Sequence, residues 1–291
     1  MKETFRAWNP DEKSRVLVEA CCVVLVELRR YRLTLRQLYY QLVTRNIIPN
    51  AERSYQNLSR VVTRARMAGL IDWDAIEDRA RLPRAASEWN NLAELVDGAL
   101  YSYRLPRWST QNTYCELWVE KDALASVLWP IAYRHHVTLM VNRGYSSASA
   151  MYGAAQRFKY RGDGWKHLVI LYLGDFDPSG EDMVRDVRER LEEFGVDVEV
   201  QKVALNWDQI QQYNPPPNPA KLTDPRAKEF VRKHGGSSWE VDALPPAVLT
   251  ELINAAMDSV IDYPTMQVII DREEQDKIRL QDAVKAIQDE R

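Results

Sequence analysis

His167-Leu-Val-Ile-Leu-Tyr-Leu-Gly-Asp-Phe-Asp-Pro-Ser-Gly-Glu-Asp-Met183 is the stretch from which the fold can be read. The unbroken apolar run from Leu168 to Leu173 has the pattern of a parallel strand buried on both faces. Gly174 ends it, and Asp175 and Asp177 follow at alternate positions. Pro178 suits the first turn of a helix that continues through residues 179–194. Ligands of open α/β sheets bind beyond the carboxyl ends of the strands, where these two aspartates fall. No Lys or Arg lies within residues 168–184. Two neighbouring carboxylates then need a cation from elsewhere, and oxygen-only ligands point to Mg2+. A calcium loop fits less well, because a strand precedes the motif and its twelfth position is Asp186 rather than Glu. Phosphatases and glycosyltransferases also carry such a pair, and so do solvated acidic turns, so the motif alone leaves the chemistry open.

The same alternation extends to both sides. Residues 114–119 read as a first strand and 122–135 as a helix. Residues 137–141 form a second strand, followed by a helix to about residue 160. The Asp-x-Asp strand and its helix come next, then a fourth strand over 198–203. Strands alternating with helices predict a parallel sheet with right-handed crossovers. Residues 214–219 (Asn-Pro-Pro-Pro-Asn-Pro) are a stiff extended segment, and the basic stretch 221–236 is expected to loop against the site. Residues 239–244 and a helix over Pro246–Asp258 complete the core, and 272–291 forms a charged amphipathic helix.

The first 110 residues have a different pattern. Asp11 or Ser14 caps a helix reaching about residue 30, with Val16, Ala20, Val23, Val24 and Leu28 as its apolar face. Thr34 caps a second helix over Leu35–Thr44. Ser54 opens a third over 55–67, closed by Gly69, and residues 70–73 follow as a short strand or turn. This succession reads as a winged-helix or helix-turn-helix module with Arg60, Arg64 and Arg66 facing a duplex. A plain helical bundle with a solvated basic face is the alternative. A further helix over 87–99 and an Arg-bearing connector lead to a boundary near Thr110, which gives domains 1–110 and 111–291.

The net charge of −3 conceals an asymmetry. Residues 1–110 carry 18 Lys and Arg against 13 Asp and Glu, and the rest carry 21 against 29. Between Leu28 and Ile71 there are nine arginines and one acid, Glu52, as a phosphate-binding face requires. The three cysteines, Cys21, Cys22 and Cys115, have neither metal spacing nor a disulfide framework, which fits a reduced compartment. No signal peptide or apolar run long enough for a bilayer is evident, so a cytoplasmic protein without membrane contact is expected.

Glu120, in Leu117-Trp-Val-Glu-Lys-Asp122, ends the first strand and belongs on the same sheet edge as Asp175 and Asp177. Three such acids can hold one or two Mg2+ ions. This Glu, the Asp-x-Asp-Pro-x-Gly and the Gly-bearing turn Asn142-Arg-Gly-Tyr145 resemble the Toprim domain. Upstream stands Arg36-Gln-Leu-Tyr-Tyr40. The combination resembles the A subunits of type IIB topoisomerases, which include topoisomerase VI and the meiotic double-strand-break transesterase. In size it is most similar to the small Mini-A forms of bacterial mobile elements. The resemblance spans roughly residues 30–260 and includes Glu240-Val-Asp-Ala-Leu244.

The resemblance implies an α/β fold in which a winged helix (CAP-like) precedes the Toprim domain. It implies Tyr40 as nucleophile, with Gln37 replacing the usual Asp, and Tyr39 as its packed neighbour. Arg36 lies one turn before Tyr40 and can favour phenoxide or hold the scissile phosphate. Glu120 is implied as metal ligand or general acid/base, Asp175 and Asp177 as metal ligands, and Arg143 as a DNA contact. The expected partners are double-stranded DNA and a second copy of the chain, whose metal site would meet the tyrosine across the dimer. No ATP-binding motif is present, so ATP-driven strand passage would need a separate ATPase B-type partner. The expected activity is Mg2+-dependent DNA cleavage through a 5′-phosphotyrosyl intermediate. The alternative is a Toprim nuclease in which Tyr40 only packs.

Overall fold

A computed structural model describes residues 2–31, 33–76, 86–142, 147–219 and 226–289. Its centre is a sheet of β1 (Thr113–Val119), β2 (Thr138–Val141), β3 (His167–Leu173) and β4 (Glu199–Ala204), in the order β2-β1-β3-β4. Every pairing is parallel. The reason lies in composition: β1 and β3 are buried along nearly their whole length, and only helices on both faces can cover such strands. These are α5 (Ala125–His135), α6 (Ala148–Gly162), α7 (Pro178–Glu193) and α10 (Pro246–Asp258). Val119 is in register with both Val141 and Leu173, so Glu120 and Gly174 leave the sheet side by side. The strand order reverses between β1 and β3, and that crevice is the usual ligand site of such a sheet.

One buried group in the sheet is charged. Glu116, on β1, is fully buried and receives Nε and Nη2 of Arg157 at 3.0 and 2.9 Å. Tyr114 Oη and Trp118 Nε1 donate to the same carboxylate at 3.0 and 2.9 Å. Both carboxylate oxygens are therefore paired, which is the condition for keeping a charge in the interior.

The N-terminal helices are α1 (Glu12–Glu27), α2 (Leu35–Thr44) and α3 (Glu52–Met67). They form a separate apolar cluster from Leu17 to Ile76, which Ala243 joins from the sheet side. Asp11 caps α1 through Ser14 N. At α2, Thr34 and Gln37 form a reciprocal capping box, which gives Gln37 a local structural role.

Several expectations are revised. The inward face of α1 is Leu17, Val18, Cys21, Val24 and Leu25, while Val16 and Val23 are more than half exposed. Apolar residues nearly encircle this helix, so its periodicity does not single out one face. Of the two alternatives for residues 70–73, strand or turn, the structure has the turn. Asp72 accepts from Asp74 N and opens a 3-10 turn over Trp73–Ala75, and the extended pairing here is limited to isolated bridges, Thr4 to Ala68 and Leu33 to Ile76. The helix expected over 87–99 is α4 (Leu92–Ser102), displaced because Asn91 is its cap.

Further elements lie C-terminal to β4. The stretch after β4 adds α8 (Trp207–Tyr213), and the Pro-rich segment pairs as β5 (Asn218–Pro219) with β6 (Ser237–Ser238). Within the stretch expected to loop lies α9 (Ala227–His234), and the last helix, α11 (Tyr263–Asp289), starts earlier than residue 272. No helix among the described residues is long and apolar enough to cross a membrane.

Candidate active site

The carboxyl ends of β1 and β3 place Glu120 beside Asp175: Glu120 Oε2 accepts from Asp175 N at 3.2 Å. Gly180 lets α7 start hard against this loop. A Cβ on it would lie 2.2 Å from the Asp175 carbonyl oxygen, so no larger residue fits without moving the helix. Asp177 is the N-cap of α7, and its Oδ1 accepts from Gly180 N at 2.6 Å and Ser179 Oγ at 2.8 Å. On the other flank, Phe176 and Trp239 exchange main-chain hydrogen bonds at 2.8 and 3.0 Å. That bridge is packed with Trp207, Phe230 and His234, and it brings residues 240–242 over the strand ends. Val241 N then donates to Asp175 Oδ1 at 2.9 Å.

The protein itself supplies one cation to this cluster, at Asp175 but not at Asp177. Lys121, directly after Glu120, places Nζ 3.0 Å from Asp175 Oδ1, 2.9 Å from Glu240 Oε2 and 2.9 Å from Asp242 Oδ1. These three carboxylates outweigh the cost of burial and hold the ammonium firmly charged. The absence of Lys and Arg from residues 168–184 therefore did not imply that only a metal could neutralise the site.

From the other side of the cavity, α2 packs on the 3-10 turn Val241–Ala243 and delivers Tyr40. Its Oη donates to Glu240 Oε2 at 2.5 Å, and Arg36 bonds the same oxygen and lies 3.3 Å from Asp242 Oδ2. Arg36 Nη2 is also 3.5 Å from Tyr40 Oη. An unbroken chain of polar contacts thus runs Tyr40, Glu240, Lys121, Asp175. Burial, then the bond to Glu240, pushes the Tyr40 phenol well above its ordinary range, with Arg36 opposing. Burial alone would raise Glu240, but Lys121 and the bonds from Tyr40 and Arg36 hold it down at about 2. In this arrangement Tyr40 keeps its proton and Glu240 is a carboxylate.

Tyr39 and Tyr40 are both buried, at 5% and 3% exposure, so burial does not distinguish them. Their hydroxyls do. Tyr39 Oη accepts from Ala51 N at 2.8 Å and donates to Asn50 Oδ1 at 2.9 Å, which anchors the start of α3. Both rings line a cavity of about 490 Å3 with Arg36, Asp175, Asp177 and Glu240, but only the Tyr40 hydroxyl bonds Glu240.

Mg2+ was expected at Glu120, Asp175 and Asp177. Burial, with Glu120 adding and Lys121 opposing, pushes the Asp175 carboxyl up to about 7, so this carboxylate is short of positive charge despite the lysine. Mg2+ is commonly held by one or two carboxylates with substrate phosphates completing its shell, and Glu120 and Asp175 fit that requirement. Asp177 differs, because its Oδ1 is committed to the helix cap. Among the described residues, no three His, Cys, Asp or Glu side chains converge as a ready-made metal site.

Comparison with protein-family models, with curated proteins and with solved structures gives no match to this chain.

On α3, Arg60 and Arg64 are exposed, whereas Arg66 turns inward. Its Nη2 donates to the Trp73 carbonyl at 2.7 Å, with the guanidinium 4.4 Å from the Trp73 ring centroid. It secures the 3-10 turn and does not share the outward face. Arg143 lies outside the described residues, as do Arg79, Arg81 and Arg84. Sequence reasoning gave no role to Lys121, Glu240 or Asp242. The usable signal for the first was the Glu-Lys pair ending a buried strand, which puts a cation at the same sheet edge.

Proposed function

We propose that this protein is a Mg2+-dependent DNA transesterase of topoisomerase type, with Tyr40 as the nucleophile. The observation that carries the reading is the shared cavity, in which Tyr40 faces Asp175 and is joined to it through Glu240 and Lys121. A phenol is a weak nucleophile at neutral pH unless its proton is taken. A DNA phosphate drawn to Arg36 and Lys121 competes with Glu240 for both cations. Glu240 then regains basicity and accepts the Tyr40 proton. The phenolate attacks phosphorus, a P–O bond to Tyr40 forms, and the bond to the 3′-oxygen breaks, that oxygen leaving with a proton from solvent. Glu120 and Asp175 would hold Mg2+, which would supply stabilisation of the negative charge that develops during transfer. Religation is the reverse transfer.

The finer reading of the fold belongs here too. The four-stranded parallel core is compatible with a Toprim domain, and α1 to α3 are read as the winged-helix module, with Arg60 and Arg64 on its DNA side. Two copies of the chain, one per strand, account for a double-strand cut.

Metal-dependent hydrolysis is the second reading, and the raised, buried Tyr40 phenol favours it. Incubation of the protein with supercoiled DNA and Mg2+, followed by denaturation, separates the two. Transesterification leaves protein covalently attached to 5′ ends, and Tyr40→Phe abolishes both adduct and cleavage. If Tyr40→Phe cuts normally while Asp175→Ala does not, the protein is a nuclease and Tyr40 only packs.

A further inference from the structure

A second cavity, of about 600 Å3, opens at the other end of the sheet, where β1 and β2 begin, and is lined by Tyr114, Thr138 and the residue before β3, Lys166. It is remote in the topology from the carboxylates at the strand ends. Its volume is within the usual range for a small-ligand site, about 300–1,000 Å3.

Its lining is cationic. Arg104 and Arg107 come from the connector before β1, and Arg161 and Lys166 from the end of α6 and the turn that follows it. The acids nearby are too few to balance them. Arg107 Nη2 lies 3.1 Å and Arg104 Nε 3.7 Å from one carboxylate, Glu273, which Lys277 shares at 3.0 Å. Lys166 Nζ donates to two backbone carbonyls, those of Trp108 at 2.7 Å and Ser109 at 3.1 Å, which orient it without neutralising it. Arg161 forms no ion pair among the described residues and lies 5.7 Å from the Tyr160 ring centroid. Asp163 is the one acid among the lining residues.

The groups affect one another accordingly. Burial, then repulsion from Arg107, holds His136 down at about 4. Burial, with Arg161 adding and Asp163 opposing, lowers Lys166. The Arg107 Nε is buried without a partner. A group of cations that runs from buried Lys166 to exposed Arg161 is what a multivalent oxyanion would relieve, since arginine forks match its oxygens. Tyr160, 76% exposed at the mouth, offers a ring on which a base can stack.

We propose that this cavity binds a phosphoryl group, carried either by a free nucleotide or by a nucleic-acid backbone, with Arg161 as its most accessible ligand. The site is independent of the strand-cleavage reading and stands or falls separately from it.

Calorimetric titration with inorganic pyrophosphate, in EDTA so that no metal intervenes, tests the site directly. Wild type is expected to bind, and Arg161→Ala to bind about ten-fold more weakly or worse, as for loss of one charge-assisted contact. Arg161 is exposed, so the variant should melt with the wild type, and Arg161→Lys should recover part of the affinity. A nucleoside diphosphate that binds more tightly than pyrophosphate identifies the source as a nucleotide. A short duplex whose affinity falls by the same factor in Arg161→Ala identifies it as a backbone. Wild type that takes up no pyrophosphate, or binding that Arg161→Ala leaves unchanged, overturns the proposal.

Discussion

Tyr40 and Glu240 are the pair on which the chemistry turns, and each gives a separable prediction. Tyr40→Phe removes one oxygen from a buried position, so the protein should fold while forming no covalent adduct, as read on a denaturing gel with end-labelled DNA. Glu240 is held below its ordinary value in the folded protein and returns to that value on unfolding. Its contribution to stability is therefore complete above about pH 4.5 and is lost as pH falls towards about 2. The melting temperature of Glu240→Gln should depend less on pH in that window than that of wild type. Lys121 is the more fragile group. Lys121→Met leaves the buried Asp175 carboxylate without its cation, while Arg36 still pairs Glu240 and Asp242, and breaking such a buried pairing costs roughly 3–5 kcal/mol, measurable by denaturant unfolding. Mg2+ should recover part of that loss. None of these partnerships is legible locally, since Lys121 and Asp242 are 121 positions apart and Tyr40 and Glu240 are 200 apart.

At the scale of elements, the strands were the legible part. β3 is apolar on both faces and β1 is so apart from Glu116, a pattern that suits a covered parallel sheet, so their existence and order of appearance could be read directly. Two helix caps were legible, Asp11 and Thr34, whereas Asn91 and Asp177 cap their helices without having been read as caps. Where apolar residues surround a helix, as on α1, or where the backbone is bridged by only a pair of residues, as at β5 and β6, the pattern underdetermines the result. Two substitutions probe the elements themselves. Gly180→Ala forces α7 away from Asp175, and it should abolish cleavage while the sheet still melts cooperatively. Arg157→Ala leaves the Glu116 carboxylate buried with neutral donors alone, and it should lower stability by about 3 kcal/mol, because Arg157 is itself half-exposed.

For the whole molecule, charge is distributed so that the arginine-rich helices and the acidic remainder meet at one cavity. Arg60 and Arg64 are exposed on α3, as is Arg53 nearer its start. Removing Arg60 and Arg64 should weaken binding to all duplex sequences alike, and should reduce the slope of log affinity against log salt by about 2. Fluorescence anisotropy across a salt series reads this directly. The net charge of the chain gave no hint of such a face, whereas the local run of arginines did. Which of those arginines point outward could be learned only once Arg66 was seen under Trp73.

The ring cluster around Phe176 has an optical consequence. Trp239 adjoins Glu240 in sequence, and its indole lies 5.7 Å from that of Trp207 and 6.1 Å from the Phe176 ring. Indole emission depends on the charge and solvent around the ring, so any ligand that displaces Glu240 from Arg36 and Lys121 alters the surroundings of a built-in fluorophore. The emission difference between wild type and Trp239→Phe then tracks occupancy of the Tyr40 cavity in real time, with no label attached and no bond in the DNA broken.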